Sequence, residues 1–257
     1  MRGMTHRTRA VFFDLGGTLF SNLEILRIST PLLPEAARRL GVKGGGKRAG
    51  LAYVQATRRV NESYVNRPFY MHRDLFLDTY RLFAEIFEQE ASSEFLEWFY
   101  EAQRKTMVEN LVLREDCRET LHALRDRGLI LSLVSNIDQD FLEPMLRNLG
   151  LNALLDHWTS SEEAESCKPD PGIFHHALRK AGCQEEEVVF VGDSRVHDIQ
   201  GARAVGMTTV LITEEGGVSH LDDEDFDAQP DHVIANLSEL LDLVDERDAG
   251  STNAHAP

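Results

Sequence analysis

Residues 10–19 read AVFFDLGGTL, and this stretch decides the fold of the chain. An apolar run ends in the carboxylate of Asp14, and two glycines and a threonine follow shortly after it. A carboxylate at the end of a buried strand is costly unless a metal or a ligand compensates its charge. Gly16 and Gly17 allow the backbone to approach such a ligand closely. Asp14 is therefore the first predicted functional residue, and Gly16 supplies backbone where a second acid could stand.

The chain has 257 residues, which suits one large domain or a core with a smaller domain. It contains 27 Lys and Arg residues against 43 Asp and Glu residues, which gives a net charge of −16. A surface this acidic argues against binding to nucleic acid or to an anionic membrane. A phosphorylated substrate would therefore need locally placed cations or a metal.

The sequence predicts a cytoplasmic protein. Cys117, Cys167 and Cys183 lie far apart and form no CxxC pair, which is typical of free thiols in a reducing compartment. The basic start, residues 1–9, precedes an apolar run that Asp14 soon interrupts, unlike a signal peptide. No apolar segment approaches the length of a membrane span.

Short apolar runs without clean alternation predict buried parallel strands. They cover 10–13, 129–135, 188–191, 208–212 and, more weakly, 232–235. Helical patterns follow most of the later strands, over 138–149, 171–181, 196–205 and 237–244. Repeated alternation of strand and helix predicts a doubly wound α/β sheet, in which ligands bind outside the carboxyl ends of the strands.

Residues 20–110 contain no convincing strand and include all five tyrosines. Helical patterns cover 34–40, 48–66, 74–90 and 92–110. This predicts a helical cap that is inserted after the first strand and lies over the carboxyl ends of the sheet. The α/β core would then comprise 1–19 and 111–246. The polar residues of 247–257 predict a disordered tail.

Polar side chains follow the ends of several predicted strands, where a parallel sheet would bring them to one edge. They are Asp14, Ser135, Asn136, Lys168, Asp193 and Asp198. Each residue alone is a weak indication, because a lysine or serine is most often a simple surface residue. Together, and in this order at strand ends, they predict an active site.

These residue types suit phosphoryl transfer. Asp14 and Asp193 can hold a hard divalent cation such as Mg²⁺. The second oxygen of Asp14 is then free to attack phosphorus and form an aspartyl-phosphate. Lys168 supplies positive charge next to the nucleophile and the transferring group. Asp198 would hold Lys168 or the waters of the metal. Phosphate oxygens would be bound by the hydroxyls of Thr18 and Ser135, the backbone N–H groups after Asp14 (Gly17 included), and Asn136.

The same residues resemble the four motifs of the haloacid dehalogenase (HAD) superfamily. The first is DLGGT at 14–18, the second Ser135, the third Lys168 with its following Pro-Asp, and the fourth GDS at 192–194 through Asp198. The insertion is similar to the helical C1 cap of subfamily I. The resemblance implies a Rossmann-like core, catalytic Asp14, Ser135 and Lys168, and a small phosphorylated substrate. It also implies Mg²⁺ at Asp14, the Gly16 carbonyl, Asp193 and Asp198.

Gly16 departs from the pattern of the family's phosphatases, which carry a second Asp at this position as general acid and base. The backbone carbonyl that would bind the metal is kept, while the proton-transfer group is absent. The leading expectation is a Mg²⁺-dependent phosphatase for leaving groups that need little protonation. His72 or Glu24 from the cap are the candidate substitutes for the acid.

Three other functions stay open. A haloacid dehalogenase would use Asp14 on carbon without a metal, although the metal-binding Asp193 argues against it. A phosphonate hydrolase would also accept a small residue at Gly16, but it needs a Schiff-base lysine from the cap. A phospho-ligand-binding protein with little or no turnover would need no proton donor.

Overall fold

The computed structural model describes residues 7–43, 46–214 and 229–253. Its six strands are all parallel and form one sheet in the order β3-β2-β1-β4-β5-β6. The strands are β1 Ala10–Phe13, β2 Ile130–Ser135, β3 His157–Ser160, β4 Val188–Gly192, β5 Thr208–Ile212 and β6 His232–Ile234. This is the predicted doubly wound, Rossmann-like α/β fold.

The helical cap follows β1 directly, as the sequence predicts. Its helices are α1 Asn22–Ser29, α2 Leu33–Arg39, α3 Gly46–Tyr64, α4 His72–Ile86 and α5 Ser93–Asn110. We propose 20–110 as its full extent. The core helices are α6 Cys117–Asp126, α7 Gln139–Asn148, α8 Ser161–Ala164, α9 Pro171–Ala181, α10 Gly201–Ala204 and α11 Leu240–Asn253. A π-helical turn, Arg195–Gln200, leads into α10. None of the helices in the described ranges is long and apolar enough to cross a membrane.

Both faces of the sheet are covered, which explains why the strands show no polar alternation. In β1, Val11 and Phe13 belong to one apolar cluster, and Ala10 and Phe12 belong to another. All four side chains are fully buried. The first cluster continues into the cap, so cap and core share one apolar interior.

The register of the strands brings the site to one edge of the sheet. Phe13 of β1 lies level with Leu133 of β2 and Val191 of β4. The backbone N–H of Asp14 then donates to the carbonyl of Val191 over 2.9 Å. Asp14 therefore emerges at the carboxyl edge, between the ends of β2 and β4.

The predicted disordered tail, 247–257, is wrong for its first part, because α11 continues to Asn253. Core contacts hold this end of the helix. The N–H of Thr8 donates to Asp248 Oδ1 over 2.9 Å, and Arg247 Nη2 donates to the carbonyl of Glu186 over 3.0 Å. Residues 254–257 lie outside the described ranges.

Candidate active site

Lys168 lies between two buried carboxylates. Its ammonium Nζ donates to Asp14 Oδ1 over 2.5 Å and to Asp198 Oδ1 over 2.6 Å. The three residues come from different parts of the chain: Asp14 follows β1, Lys168 precedes α9, and Asp198 lies in the π-helical turn after β4. The fold thus brings together three residues that the sequence places at separate strand ends.

The backbone of Lys168 is fixed from two sides. Its N–H donates to Asn136 Oδ1 over 2.6 Å, and its carbonyl accepts from Asn136 Nδ2 over 2.9 Å. Nδ1 of His197 lies 2.9 Å from the same carbonyl oxygen. Asn136 therefore positions Lys168, a role different from the substrate contact predicted for it, while it also lines the cavity described below.

Asp198 fits beside β4 because Gly192 has no side chain. A Cβ atom at Gly192 would lie 2.3 Å from Cβ and Cγ of Asp198, which is closer than atoms can pack. The second carboxylate oxygen of Asp198 accepts the N–H of Ser194 over 3.0 Å. Both oxygens of Asp198 are thereby engaged, one with Lys168 and one with the backbone.

The electrostatics of this centre show an excess of negative charge. Burial, together with the carboxylates of Asp198 and Asp193, raises the pKa of Asp14 to about 7 even though Lys168 opposes the shift. Burial lowers the pKa of Lys168, but Asp14 and Asp198 outweigh it and raise that pKa above its ordinary value. Both groups therefore hold their protons more tightly than usual.

A metal ion fits the donor set at this centre. Asp14, Asp193 and Asp198 each offer a carboxylate oxygen, and these oxygens lie within 4.8 Å of one another. Lys168 contacts two of them and, with a single positive charge, balances only one. Oxygen donors in such a cluster are those that Mg²⁺ prefers.

Gly17 provides the space for Asp193. Its backbone has φ +77°, and a Cβ atom there would lie 2.0 Å from Asp193 Oδ2. The same Oδ2 accepts a hydrogen bond from Nδ2 of Asn22 in α1 over 2.7 Å. A cap residue thus holds the carboxylate that we expect to bind the metal.

A cavity of about 240 Å³ opens above these groups. Its core side is polar and includes Asp14, Ser135 and Lys168. Its cap side includes Asn61, Tyr64, Tyr70, His72 and Leu75. The site is therefore a small chamber between the sheet edge and the cap.

Comparison with known protein families identifies the family of this chain. The family model for haloacid dehalogenase-like hydrolases matches residues 8–206. The chain belongs to this family. Haloacid dehalogenase-like hydrolase domain-containing protein 3 of Bos taurus is 32% identical to it, across 96% of this chain and 99% of the relative.

The named relatives of this HAD-like hydrolase have different activities. Ribulose-1,5-bisphosphate 5-phosphatase of Halopiger xanaduensis is 34% identical over 53% of this chain and 59% of its own. (S)-2-haloacid dehalogenase 4A of Burkholderia cepacia is 26% identical over 94% of this chain and 96% of its own. A crystal structure of a HAD phosphatase from Thermococcus onnurineus covers 92% of this chain and 98% of its own, at 24% identity and a TM-score of 0.67. That structural likeness concerns the fold, so the residues of the site must decide the activity.

One of the predicted phosphate-binding side chains, that of Thr18, is not among the described residues that line the cavity of this hydrolase. The hydroxyl of Thr18 is buried and has no hydrogen-bond partner in the described part of the chain. The backbone carbonyls of Gly17 and Thr18 instead accept from Arg114, over 2.7 and 2.9 Å. Arg114 thus fixes the loop after Asp14 at the point where the chain returns from the cap.

The two proposed substitutes for the missing acid differ in placement. Glu24 forms two hydrogen bonds with Arg27, at 2.7 and 2.5 Å, and this contact lowers the pKa of the carboxyl. Glu24 is also not among the described residues that line the cavity. His72 does line it, and burial, with His197 and Lys168, lowers the pKa of His72 to about 3. Its imidazole is therefore neutral near neutral pH.

Two residues of the site were missed in the sequence. His197 lies inside the fourth motif, so its position next to Asp198 was a usable signal. Asn22 has no comparable signal, because only the path of the chain between β1 and α1 brings its amide to Asp193.

Proposed function

We propose that this HAD-like hydrolase is a Mg²⁺-dependent phosphatase that acts on a small phosphorylated metabolite through an aspartyl-phosphate on Asp14. The observation that carries the proposal is the ammonium of Lys168, 2.5 Å from Asp14 Oδ1 and 2.6 Å from Asp198 Oδ1, on the floor of a cavity. A buried cation at this position favours both the ionised nucleophile and the negative charge of a transferring phosphoryl group.

Asp14, Asp193, Asp198 and the backbone carbonyl of Gly16 would hold the Mg²⁺. When bound, the ion would offset the charge of the phosphate group and of the carboxylates that Lys168 cannot balance. The surplus of carboxylates supports this assignment, because one ammonium among three acids leaves room for a divalent cation.

The reaction then proceeds in two steps, formation and hydrolysis of an aspartyl-phosphate. Oδ2 of Asp14 attacks phosphorus and forms an O–P bond, while the bond from phosphorus to the ester oxygen breaks. The leaving group departs as an anion and takes its proton from water, because Gly16 offers no acid. Water next attacks the phosphorus of the aspartyl-phosphate, the bond from phosphorus to Oδ2 of Asp14 breaks, and the proton of the attacking water passes to solvent. This step releases inorganic phosphate and restores Asp14. Lys168 remains paired with Oδ1 throughout.

Neither cap candidate supports the missing proton transfer. A neutral imidazole at His72 cannot act as a general acid near neutral pH, and a pKa near 3 makes it a weak base. Glu24 is engaged by Arg27. We therefore propose that turnover proceeds without a positioned acid and favours leaving groups that are stable as anions.

Three alternatives gain no specific support. A phosphonate hydrolase needs a lysine from the cap, and within the described ranges the only lysine that lines the cavity is Lys168 of the core. A haloacid dehalogenase needs no metal, and the cluster formed by Asp193 with Asp14 and Asp198 would then have no use. A protein that only binds a phospho-ligand would not need a nucleophile such as Asp14 next to the ammonium of Lys168.

Phosphate release from a panel of phosphate esters, measured with Mg²⁺ and with a chelator, tests the proposal. We expect release that requires Mg²⁺ and is lost in Asp14→Asn. Asp126→Asn, at an exposed aspartate of α6, is the control and should retain it. Absence of metal-dependent release from every ester, or release that survives Asp14→Asn, would contradict the proposal.

A further inference from the structure

The cavity has two chemically different sides. The core side carries the charged groups, and the cap side is largely apolar and aromatic. Because the phosphate group must face Asp14, the rest of the substrate faces the cap. The chemistry of the cap side therefore indicates which leaving groups the site can accept.

Aromatic rings form a continuous part of the cap side. The rings of Tyr64 and Tyr70 meet edge to face with centroids 4.9 Å apart. The imidazole of His72 lies 4.9 Å from the ring of Tyr70 at an interplanar angle of 32°. Leu75 and Ile25 add aliphatic surface. A flat, uncharged group is the natural partner of such a surface.

The cap side also lacks positive charge. Within the described ranges, no lysine or arginine of the cap lines the cavity. The guanidinium of Arg67 lies 3.8 Å from the ring centroid of Tyr64, but Arg67 is exposed and does not line the cavity. The segments outside those ranges contain one such residue in sequence, Arg2.

A second anionic group on the leaving group would therefore be costly. It would lose its hydration without gaining a cationic partner, in a chamber that already holds three carboxylates. The net charge of −16 adds long-range repulsion. A bisphosphate or a carboxylate-bearing substrate, such as those in the names of the two relatives above, does not fit this cap side.

The size and the chemistry of the chamber agree with this reading. A cavity of about 240 Å³ is smaller than the roughly 300–1,000 Å³ of sites for drug-sized ligands, which favours a small leaving group of about one ring. An aryl oxide is also a more stable anion than an alkoxide. It can leave without the acid that Gly16 lacks.

We propose that the substrate is a monophosphate ester of a small aromatic hydroxyl compound without a second anionic group. This inference rests on the phosphatase function proposed above. The rings of the cap contact the aromatic part. Asp14 receives the phosphoryl group, and Lys168 together with the Mg²⁺ that the carboxylates would hold offsets its negative charge.

Two matched esters test the charge requirement: phenyl phosphate and 4-carboxyphenyl phosphate. The carboxylate has little electronic effect on the phenolate, so it changes mainly the charge that faces the cap. We expect kcat/KM for phenyl phosphate to be higher by about tenfold or more. Equal values, or a preference for the carboxylated ester, would overturn the inference and leave the phosphatase function intact. Absence of Mg²⁺-dependent release from all esters would instead refute the function itself.

Charge variants on α3 give a second, internal test. Asn61→Lys places an ammonium on the cavity side and should raise kcat/KM for 4-carboxyphenyl phosphate relative to phenyl phosphate. Leu51→Lys, at a position of the same helix that is 65% exposed, should leave the ratio unchanged. Arg67→Gln should also leave it unchanged. A selective loss on the carboxylated ester in Arg67→Gln would show that Arg67 reaches the cavity, and would overturn the inference.

A substitution at Tyr70 tests whether the aromatic rings of the cap contact the substrate. Tyr70→Leu removes a ring from the cap side and retains apolar volume. We expect KM for phenyl phosphate to rise several-fold while KM for glycerol phosphate changes little. An equal rise for both esters would count against ring recognition.

Discussion

At the scale of the residue, Gly16 and Gly17 differ in their tolerance for a side chain. A Cβ atom at Gly16 would meet Phe20 and Ile25 at 3.7–3.8 Å, which is ordinary van der Waals contact. A Cβ atom at Gly17 would collide with Asp193 at 2.0 Å, and the φ of +77° is unfavourable for other residues. The geometry therefore requires glycine at position 17. At position 16 there is space for a side chain, so glycine there is not a steric requirement.

This difference predicts opposite effects of substitution. Gly16→Asp introduces the missing acid, and because positioned acid–base catalysis is worth roughly 10²–10⁴-fold, it should speed alkyl phosphates by at least about tenfold relative to aryl phosphates. Steady-state kinetics on glycerol phosphate and phenyl phosphate measure the ratio. Gly17→Ala, the adjacent control, should lose activity on both esters. An equal change in both rates for Gly16→Asp would show that the missing acid does not limit turnover.

His72 shows how burial changes a residue that the sequence offers as an acid. Its Nδ1 is inaccessible to solvent and has no hydrogen-bond partner within the described ranges. The folded state thus lowers the pKa of His72 from 6.5 to about 3. The imidazole binds a proton more tightly in the unfolded state than in the folded state. At a pH above the unfolded pKa, His72 therefore does not weaken the fold, and the free energy of unfolding decreases as the pH falls below that value.

The pH dependence of stability tests this environment. From about pH 7 to about pH 5 the pKa shift of His72 should remove about 1–2 kcal/mol from the free energy of unfolding, and His72→Gln should abolish that part. Denaturant titrations at both pH values measure it. His122→Gln, at an exposed histidine of α6, should behave like the wild type. If His72→Gln kept the full pH dependence, the pKa of His72 would not be depressed.

At the scale of the element, α4 is fixed to the core by a carboxylate from the loop that precedes α7. Asp138 precedes α7, where an aspartate commonly caps its own helix. Its oxygens instead accept the N–H groups of His72 and Arg73, at the start of α4, over 2.8 and 2.7 Å. The N–H of Gln139 in α7 is accepted by Glu162 over 2.7 Å. The loop after Ser135 therefore sets the position of the cap helix that carries His72.

Removing this contact should affect stability and binding together. Asp138→Ala should lower the free energy of unfolding by about 1 kcal/mol, the usual cost of losing a helix cap, and should raise KM because α4 shifts. Denaturant unfolding and steady-state kinetics provide the two readouts. Asp74→Ala, at an exposed aspartate in the first turn of α4, is the control. Equal losses in both variants would show that the hydrogen bonds of Asp138 to α4 stabilise the protein no more than an exposed carboxylate does.

The elements that the sequence predicted are those with a strong local signal. The predicted range 171–181 coincides with α9, whose ends are marked by Asp170, which caps its N-terminus, and by Gly182 with φ 64°. By contrast, β3 was missed, because an edge strand of four residues of which three are polar (His157, Thr159 and Ser160) has no apolar run. Three helices, α1, α6 and α8, were missed as well. The tail was misjudged because its contacts, such as Thr8 with Asp248, join distant parts of the sequence.

The site follows the same rule. Charged residues at strand ends, such as Asp14 after β1 and Asp193 after β4, were predictable because a parallel sheet brings its carboxyl ends together. The role of Asn136 was not, because its hydrogen bonds to the backbone of Lys168 depend on the path of a distant loop. The burial of Thr18 could not be predicted either, because the sequence does not show whether a hydroxyl after a strand faces a ligand or the core.

At the scale of the whole molecule, the fold encloses a small chamber between an acidic core edge and an aromatic cap. One apolar cluster runs through both parts, so the cap is packed against the core. The family membership establishes a hydrolase, and its named relatives include phosphatases and a dehalogenase. The chemistry of Asp14 therefore decides the activity, because it separates attack on phosphorus from attack on carbon.

Trapping the covalent intermediate tests that claim most directly. The protein is mixed with Mg²⁺ and phenyl phosphate, quenched in acid during turnover, and digested for mass spectrometry. We predict one added phosphoryl group on the carboxylate of Asp14, present in the wild type and absent in Asp14→Asn. A phosphoryl group on a different residue, or turnover without any labelled Asp14, would contradict the account.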